Sequence, residues 1–259
     1  MGSAAHGGGV GLIGYFGGKQ GLARRFVRWL PRGCDTWIEL FGGGLSAALE
    51  AITYHHPRRL VIAEACAPLR LAYERVRADP DLWALQWWKL VRSLRTIDDA
   101  RAIDSRDQDP LRFCVRVQAG FVHSTGGIGP NEYRQMRQRG ARAQHWRFVG
   151  GLLRATEMVT VADWPQALTL AGGRTYTYAD PPYLGAACYA VGWTAEQQAR
   201  LTCVLTERAV GLGGAIVSDY SLWPTPPWVA MPTPRRNRAA GHNSRVAERE
   251  RWYTIGAAQ

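Results

Sequence analysis

Lysine is almost missing from this 259-residue chain: Lys19 and Lys89 are the only two among 32 basic residues, and the other 30 are arginine. Set against 21 Asp and Glu, they leave a formal charge of +11. Such an excess suits an anionic partner, nucleic acid above all, and is equally compatible with a solvated basic surface. An arginine-saturated composition is a weak pointer to phosphate, but it singles out each lysine. Cysteine is sparse too. Cys34, Cys66, Cys114, Cys188 and Cys203 are odd in number and lack C-x-x-C spacing, which argues against a disulfide framework or a zinc site and fits a reducing compartment. No apolar run approaches the ~20 residues of a membrane span. Residues Met1 to Gly9 are small and Gly-rich, without the basic and apolar segments of a signal peptide, and His6 stands where myristoylation wants Ser or Thr. A soluble, cytoplasmic protein is expected, with no membrane partner and no metal.

What is present is an alternation of helical and strand patterns. Apolar residues Leu22, Ala23, Phe26, Val27 and Leu30 recur at helical spacing until Pro31 and Gly33 stop them. Thr36 to Phe41 is a short apolar run entering Gly42-Gly43-Gly44; Leu45 to Ile52 reads as a helix and Arg58 to Ala63 as a strand. Strand, glycine turn, helix, strand is the opening of a doubly wound α/β sheet. Strand patterns return at Met158 to Ala162, Arg174 to Ala179, Gly214 to Ser218 and Arg251 to Ile255, with a helix over Ala195 to Val210. Between them, Leu71 to Ala155 is helical in pattern (Leu82 to Leu94, Leu111 to Phe121), then turns Gly-rich at Gly126 to Pro130 and basic from Tyr133 to Arg147. Residues 71–154 carry 15 Arg or Lys against 9 Asp or Glu. The expected architecture is a Rossmann-like α/β core, 1–70 and 156–259, with a mostly helical insertion at 71–155. In such sheets ligands bind beyond the carboxyl ends of the strands, where Glu39 to Gly44, Glu64, Asp163 and Asp180 all fall.

Asp180-Pro181-Pro182-Tyr183 carries the strongest chemical signal. Two prolines just after a strand build a rigid exit loop, leaving an acceptor carboxylate, carbonyls without adjacent N–H donors, and an aromatic face. That set suits an exocyclic amine: Asp180 and the Pro181 carbonyl accept its N–H bonds while Tyr183 stacks on the ring. As a lone tetrapeptide it is equally a turn. Gly14-Tyr15-Phe16-Gly17-Gly18-Lys19 places glycines and one of the two lysines ahead of the first helix. Ile13 and Gln20 stand where a Walker A loop needs Gly and Ser or Thr, which excludes that phosphate site.

Taken together these segments resemble the Dam-like, D12-class DNA adenine-N6 methyltransferases. Tyr15 to Lys19 is similar to the family's aromatic-x-G-G-K motif, Glu39 to Gly44 to its glycine loop, Asp180 to Tyr183 to its D-P-P-Y, and Gly213 to Ser218 to the strand that follows. Four motifs in one order are specific where each alone is weak. The resemblance implies S-adenosylmethionine as cofactor and duplex DNA as partner. It implies a cofactor pocket lined by Tyr15, Phe16, Lys19, Phe41, Gly42 and Gly43, with Lys19 linking the cofactor and DNA sides. Glu39 is expected to receive the cofactor's ammonium, Glu64 the ribose hydroxyls and Asp163 the adenine amino group, and Asp180 to reach both cofactor and target base. Catalysis is assigned to Asp180, Pro181, Pro182 and Tyr183. Departures are Glu64-Ala65-Cys66 in place of Asp-x-Asn, Leu40 for a proline, and Leu45 for a small residue.

The basic insertion is the expected DNA-recognition region, with Asn131, Tyr133, Arg134, Arg137 and Arg139 as contacts beside Lys19; a charged solvent face is the alternative for any one arginine. Arg235 to Arg238 and His242 to Arg245 are further candidate phosphate contacts. His123 and His145 have no metal-like spacing. The leading expectation is a site-specific methyltransferase acting on N6 of a flipped adenine, with any restriction endonuclease a separate chain. The alternatives are methylation of cytosine N4 or of an RNA base, and a catalytically silent DNA-binding protein of the same fold.

Overall fold

In a computed structural model the described residues are 10–15, 18–19, 21–120, 127–139, 143–182, 193–219, 228–231 and 251–255. Their centre is a seven-stranded sheet of order β3-β2-β1-β4-β5-β7-β6. Strands β1 (Thr36–Glu39), β2 (Arg59–Ala63), β3 (Glu157–Val161), β4 (Thr175–Ala179) and β5 (Gly213–Asp219) run parallel. β7 (Arg251–Ile255) is inserted antiparallel between β5 and β6 (Val229–Met231). The chain runs outward from β1 to β2 and β3, then returns to the other side of β1 for β4 and β5. This is the Rossmann-like doubly wound topology expected, with its switch point between β1 and β4.

Period-two alternation explains why both faces are covered. Trp37, Leu60, Ile62, Tyr176, Tyr178 and Ile216 enter one hydrophobic cluster, and their neighbours Ile38, Val61, Ala63, Ala179, Ala215 and Val217 enter the other. The second cluster is closed by α9 (Trp164–Thr169) and α10 (Ala195–Leu212), through Ala167, Leu168, Leu201 and Leu205. The first is closed by α1 (Ala23–Phe26), α2 (Ser46–His55), α3 (Ala67–Ala78) and the helices that follow.

Those helices are α4 (Pro80–Ser93), α5 (Ile97–Arg101), α6 (Pro110–Ala119), α7 (Pro130–Arg139) and α8 (Ala143–Arg154). All of α3 to α8 lie between β2 and β3, so the helical insertion is present. Its core is aromatic: Trp87 lies 5.1 Å from Trp146, and Trp83 lies 5.9 Å from the same ring. One boundary differs from expectation. α3 begins at Ala67, so a division at 70/71 cuts a helix; Leu69, Ala72, Tyr73 and Val76 belong to the cluster that covers the sheet. The basic run from Tyr133 to Arg147 is shared between α7 and α8, and Ala143 to Arg154 forms its own amphipathic face with Trp146, Val149 and Leu153 buried. No described helix is long and apolar enough to cross a membrane.

Candidate active site

The glycine loop after β1 is shaped by its neighbours. Gly42 N–H donates to the Ala63 carbonyl at 2.9 Å, and the Tyr73 hydroxyl donates to the Gly43 carbonyl at 2.8 Å. Gly43 sits at φ +48°, with the Tyr15 ring 3.0 Å from where a Cβ would stand, a conformation glycine adopts without strain. A Cβ on Gly42 would meet Ile62 Cγ2 at 2.8 Å and Tyr73 Oη at 2.9 Å. Gly42→Ala is therefore expected to lower the unfolding free energy by about 1–3 kcal/mol, measured by urea denaturation. A variant as stable as the parent would show that the packing here yields.

Leu45, after the glycines, and Leu40, before them, account for two departures noted in the sequence. Leu45 occupies the left-handed region (φ 56°) as N-cap of α2, and is fully buried. Its side chain joins the cluster on one face of the sheet and that of Leu40 joins the other. Apolar packing accounts for leucine at both positions, and at Leu45 it offsets the backbone strain.

At the carboxyl ends of β1, β2 and β4 these loops enclose one cleft, lined by Tyr15, Gly18, Lys19, Glu39, Phe41, Gly42, Gly43, Glu64, Asp180 and Pro182. Adjacent pairing explains the convergence: Glu39 is in register with Tyr178 on β4, and Leu40 N–H donates to the Tyr178 carbonyl at 3.0 Å. Asp180, the first residue beyond β4, is thereby set beside the glycine loop. Lys19 Nζ lies 2.6 Å from Asp180 Oδ2. Lys19 is 4% exposed, and its ammonium stands 5.9 Å from the centre of the Trp252 ring. Trp252 and Tyr178 both stack on Phe26, at 4.6 and 4.9 Å. An ammonium with so little access to water is held by its counter-ion and aromatic surroundings.

Glu64 is braced: Oε2 accepts from Gly43 N–H and Oε1 from Cys66 N–H, each at 2.8 Å, while Arg70 donates to the Glu64 carbonyl. Burial raises its carboxyl above the usual carboxylate range, and the two amides and the Arg70 charge oppose that rise. Each oxygen keeps a second lone pair for a ligand hydroxyl. Glu39 is buried at 2% exposure, and its Oε2 has no hydrogen-bond partner. Burial pushes it well above the carboxylate range; the Ala48 backbone opposes, and repulsion from Asp180 and Glu64 adds to the rise. Cys66 also lines the cleft, with its thiol pushed up to about 11 by burial. It is a neutral wall residue at pH 7.

Other expected site residues fall elsewhere. Asp163 is exposed, and its Oδ1 accepts from Gln166 N–H at 2.9 Å as N-cap of α9. It does not line the cleft; an acid followed by Trp-Pro at a helix start is a capping position, which is why its placement after a strand misleads. Lys19, expected to touch both cofactor and DNA, lies inside the cleft and not on an outer surface. Asn131 and Arg134 are exposed on α7. Tyr133 Oη and Arg137 Nη1 both donate to the Leu94 carbonyl, at 2.7 and 2.8 Å, so both help fasten α7 to the end of α4. Arg139 ends α7, and its side chain lies outside the described residues, as do Phe16, Tyr183, Gly126, His123, Cys188 and residues 235–245. His145 Nε2 lies 3.2 Å from the Leu12 carbonyl and its ring packs on Trp146, a structural role. Among the described residues no group of three or more His, Cys, Asp or Glu is placed to hold a metal.

Two features, one in the cleft and one behind its Phe41, are absent from the motif reading. Tyr178 lines the cleft two residues before Asp180, a position that strand alternation makes legible. Trp193 meets Phe41 edge-on at 5.4 Å, its indole N–H donating to Gln198 Oε1 at 2.7 Å. No spacing in the sequence links Trp193 to Phe41.

No protein-family model matches the chain, and no curated protein matches it. Among solved structures it is similar to two of the rRNA methyltransferase aviRa from Streptomyces viridochromogenes. Identities are 14% and 13% and TM-scores 0.43 and 0.45, with 90% of this chain and 80% of that one covered in each case. Likeness at that level says nothing of substrate.

Proposed function

We propose that the protein is an S-adenosylmethionine-dependent methyltransferase acting on N6 of adenine in duplex DNA. The observation that carries this reading is the convergence of Tyr15, Lys19, Glu39, Phe41, Glu64 and Asp180 on one cleft at the switch point. These residues come from motifs as far as 161 positions apart, as the Lys19–Asp180 pair shows.

The cofactor fits the residues present. The orphaned, buried Oε2 of Glu39 calls for a cationic donor, which the α-ammonium supplies; Glu64 offers two braced oxygens to a diol; Gly42 and Gly43 carry the wall past Phe41, their lack of a Cβ letting Ile62, Tyr73 and Tyr15 pack against the loop. When bound, the cofactor supplies an electrophilic methyl group on sulfur. The chain's own part is to hold and orient. Asp180 and the Pro181 carbonyl accept the N–H bonds of the target amine, which favours a tetrahedral nitrogen with its lone pair aimed at the cleft. Lys19 holds the Asp180 carboxylate in place through its 2.6 Å contact with Oδ2. Tyr183 is the expected stacking face, and base flipping would cost a few kcal/mol, offset by that stacking and by backbone contacts.

The test is to express the chain in cells free of DNA methylation and map modified bases by single-molecule sequencing. N6-methyladenine at a defined site is the expected result. Unmodified adenine throughout, from soluble protein, overturns the reading. Calorimetry with S-adenosylmethionine separates the silent DNA-binding alternative, for which no uptake is the signature.

A further inference from the structure

The second of the two lysines has no place in the cleft. Lys89 lies on α4, next to Trp88, an indole 45% exposed; the Arg92 guanidinium lies 5.5 Å from the centre of that ring. The opposite flank of α4 buries Trp83, Trp87 and Val91, so Trp88, Lys89 and Arg92 face solvent by helical phase.

Chain direction places this flank at the cleft end of the molecule. α8 leads into the amino end of β3, so it runs away from the cleft. α4 lies antiparallel to it, with Pro80 against Gly150 and Trp87 against Trp146; α4 therefore climbs toward the cleft, and its 14 residues span about 21 Å. α6 climbs in the same sense: Asp109 at its start pairs with Arg75 near the end of α3, and Gln118 near its end accepts from Gly14 N–H at 2.9 Å, beside Tyr15. At the top of α4 the Leu94 carbonyl holds Tyr133 and Arg137 of α7, so exposed Arg95 and Arg134 continue the basic surface. Two of the nearby acids are engaged: Asp98 pairs with Arg101 at 3.0 Å, and Asp99 accepts from the Thr96 N–H.

We infer that the cleft end of α4, through Trp88, Lys89 and Arg92 and onward to Arg95 and Arg134, is a docking surface for the backbone of duplex DNA. The occupant follows from charge. A run of cations interleaved with an exposed indole matches phosphates separated by sugars, the cations taking phosphate oxygens and the ring packing on a sugar face. The inference rests on the DNA reading above and adds to it where the duplex lies.

The experiment uses the full chain and a fluorescent DNA duplex, with anisotropy read across a salt series. Lys89→Gln/Arg92→Gln is expected to weaken binding about tenfold and to lower the slope of log affinity against log salt by about 2, near 0.9 per lost phosphate contact. Trp88→Ala should weaken binding several-fold with the slope unchanged, and all variants should take up cofactor as the parent does. A double variant with parental affinity and slope overturns this surface while leaving the DNA reading intact. A parent protein that takes up cofactor but no duplex overturns both. Preferential binding of RNA lost in the same variant, or self-association lost in Trp88→Ala with DNA binding unchanged, assigns the surface to another occupant and also overturns the inference.

Discussion

Replacing Asp180 with asparagine is expected to lower methyl transfer by a factor on the order of 10²–10³ or more, the usual effect of losing one preorganised partner aimed at developing charge, while duplex binding largely survives. Asparagine is the informative choice. Either change removes the negative charge beside the Lys19 ammonium, 4% exposed and 2.6 Å from Asp180 Oδ2, and breaking a buried pair costs about 3–5 kcal/mol; Asp180→Ala also removes the oxygen itself and leaves a hole, which adds risk to the fold. Asparagine keeps the shape and one acceptor oxygen but presents an N–H₂ where a second acceptor stood. Tritiated methyl incorporation into DNA reads the first effect and filter binding the second. Activity within a few-fold of the parent would remove Asp180 from the mechanism.

The core of that site was legible because its parts are local. A strand's carboxyl end, a glycine turn and a Pro-Pro exit are each written in a few adjacent residues, and strand order then brings Glu39, Glu64 and Asp180 together. The Lys19–Asp180 pair was not legible, since a contact across 161 positions depends on how α1 lies against β7, which no short pattern encodes. Asp163 misled for the opposite reason: an acid after a strand serves a ligand and a helix cap equally well, and only the Gln166 contact tells them apart. The insertion was readable as helical but not in its boundaries, because α3 and α8 pack on the sheet as crossover helices do and so belong to both parts. Leu40 and Leu45 looked like departures from a motif; in three dimensions each fills a hydrophobic cluster on its own face of the sheet.

Glu39→Gln is expected to weaken S-adenosylmethionine binding by about 10- to 100-fold, the equivalent of the roughly 1.5–3 kcal/mol that a hydrogen bond to a charged group contributes. The same change should make the unliganded protein less sensitive to alkali. Burial raises the folded-state pKa of Glu39 well above its unfolded value, so over the interval between the two the folded protein holds more protons than the unfolded one. Stability then falls as pH rises through that interval and is fully retained below the unfolded pKa. The groups facing Glu39 sharpen the effect, since Asp180 and Glu64 repel its charge. Glutamine cannot ionise. The two proteins should therefore have similar Tm at a pH below the ordinary carboxylate range, with Glu39→Gln gaining as pH rises, at about 2–4 °C for each kcal/mol; Glu64 leaves a smaller slope in both. A cationic ligand favours the ionised carboxylate, so cofactor affinity of the parent should strengthen with pH while that of Glu39→Gln stays flatter. Thermal scans and calorimetric titrations over one pH series measure both, and a variant that binds cofactor as tightly as the parent at every pH would show that Glu39 does not receive the ammonium.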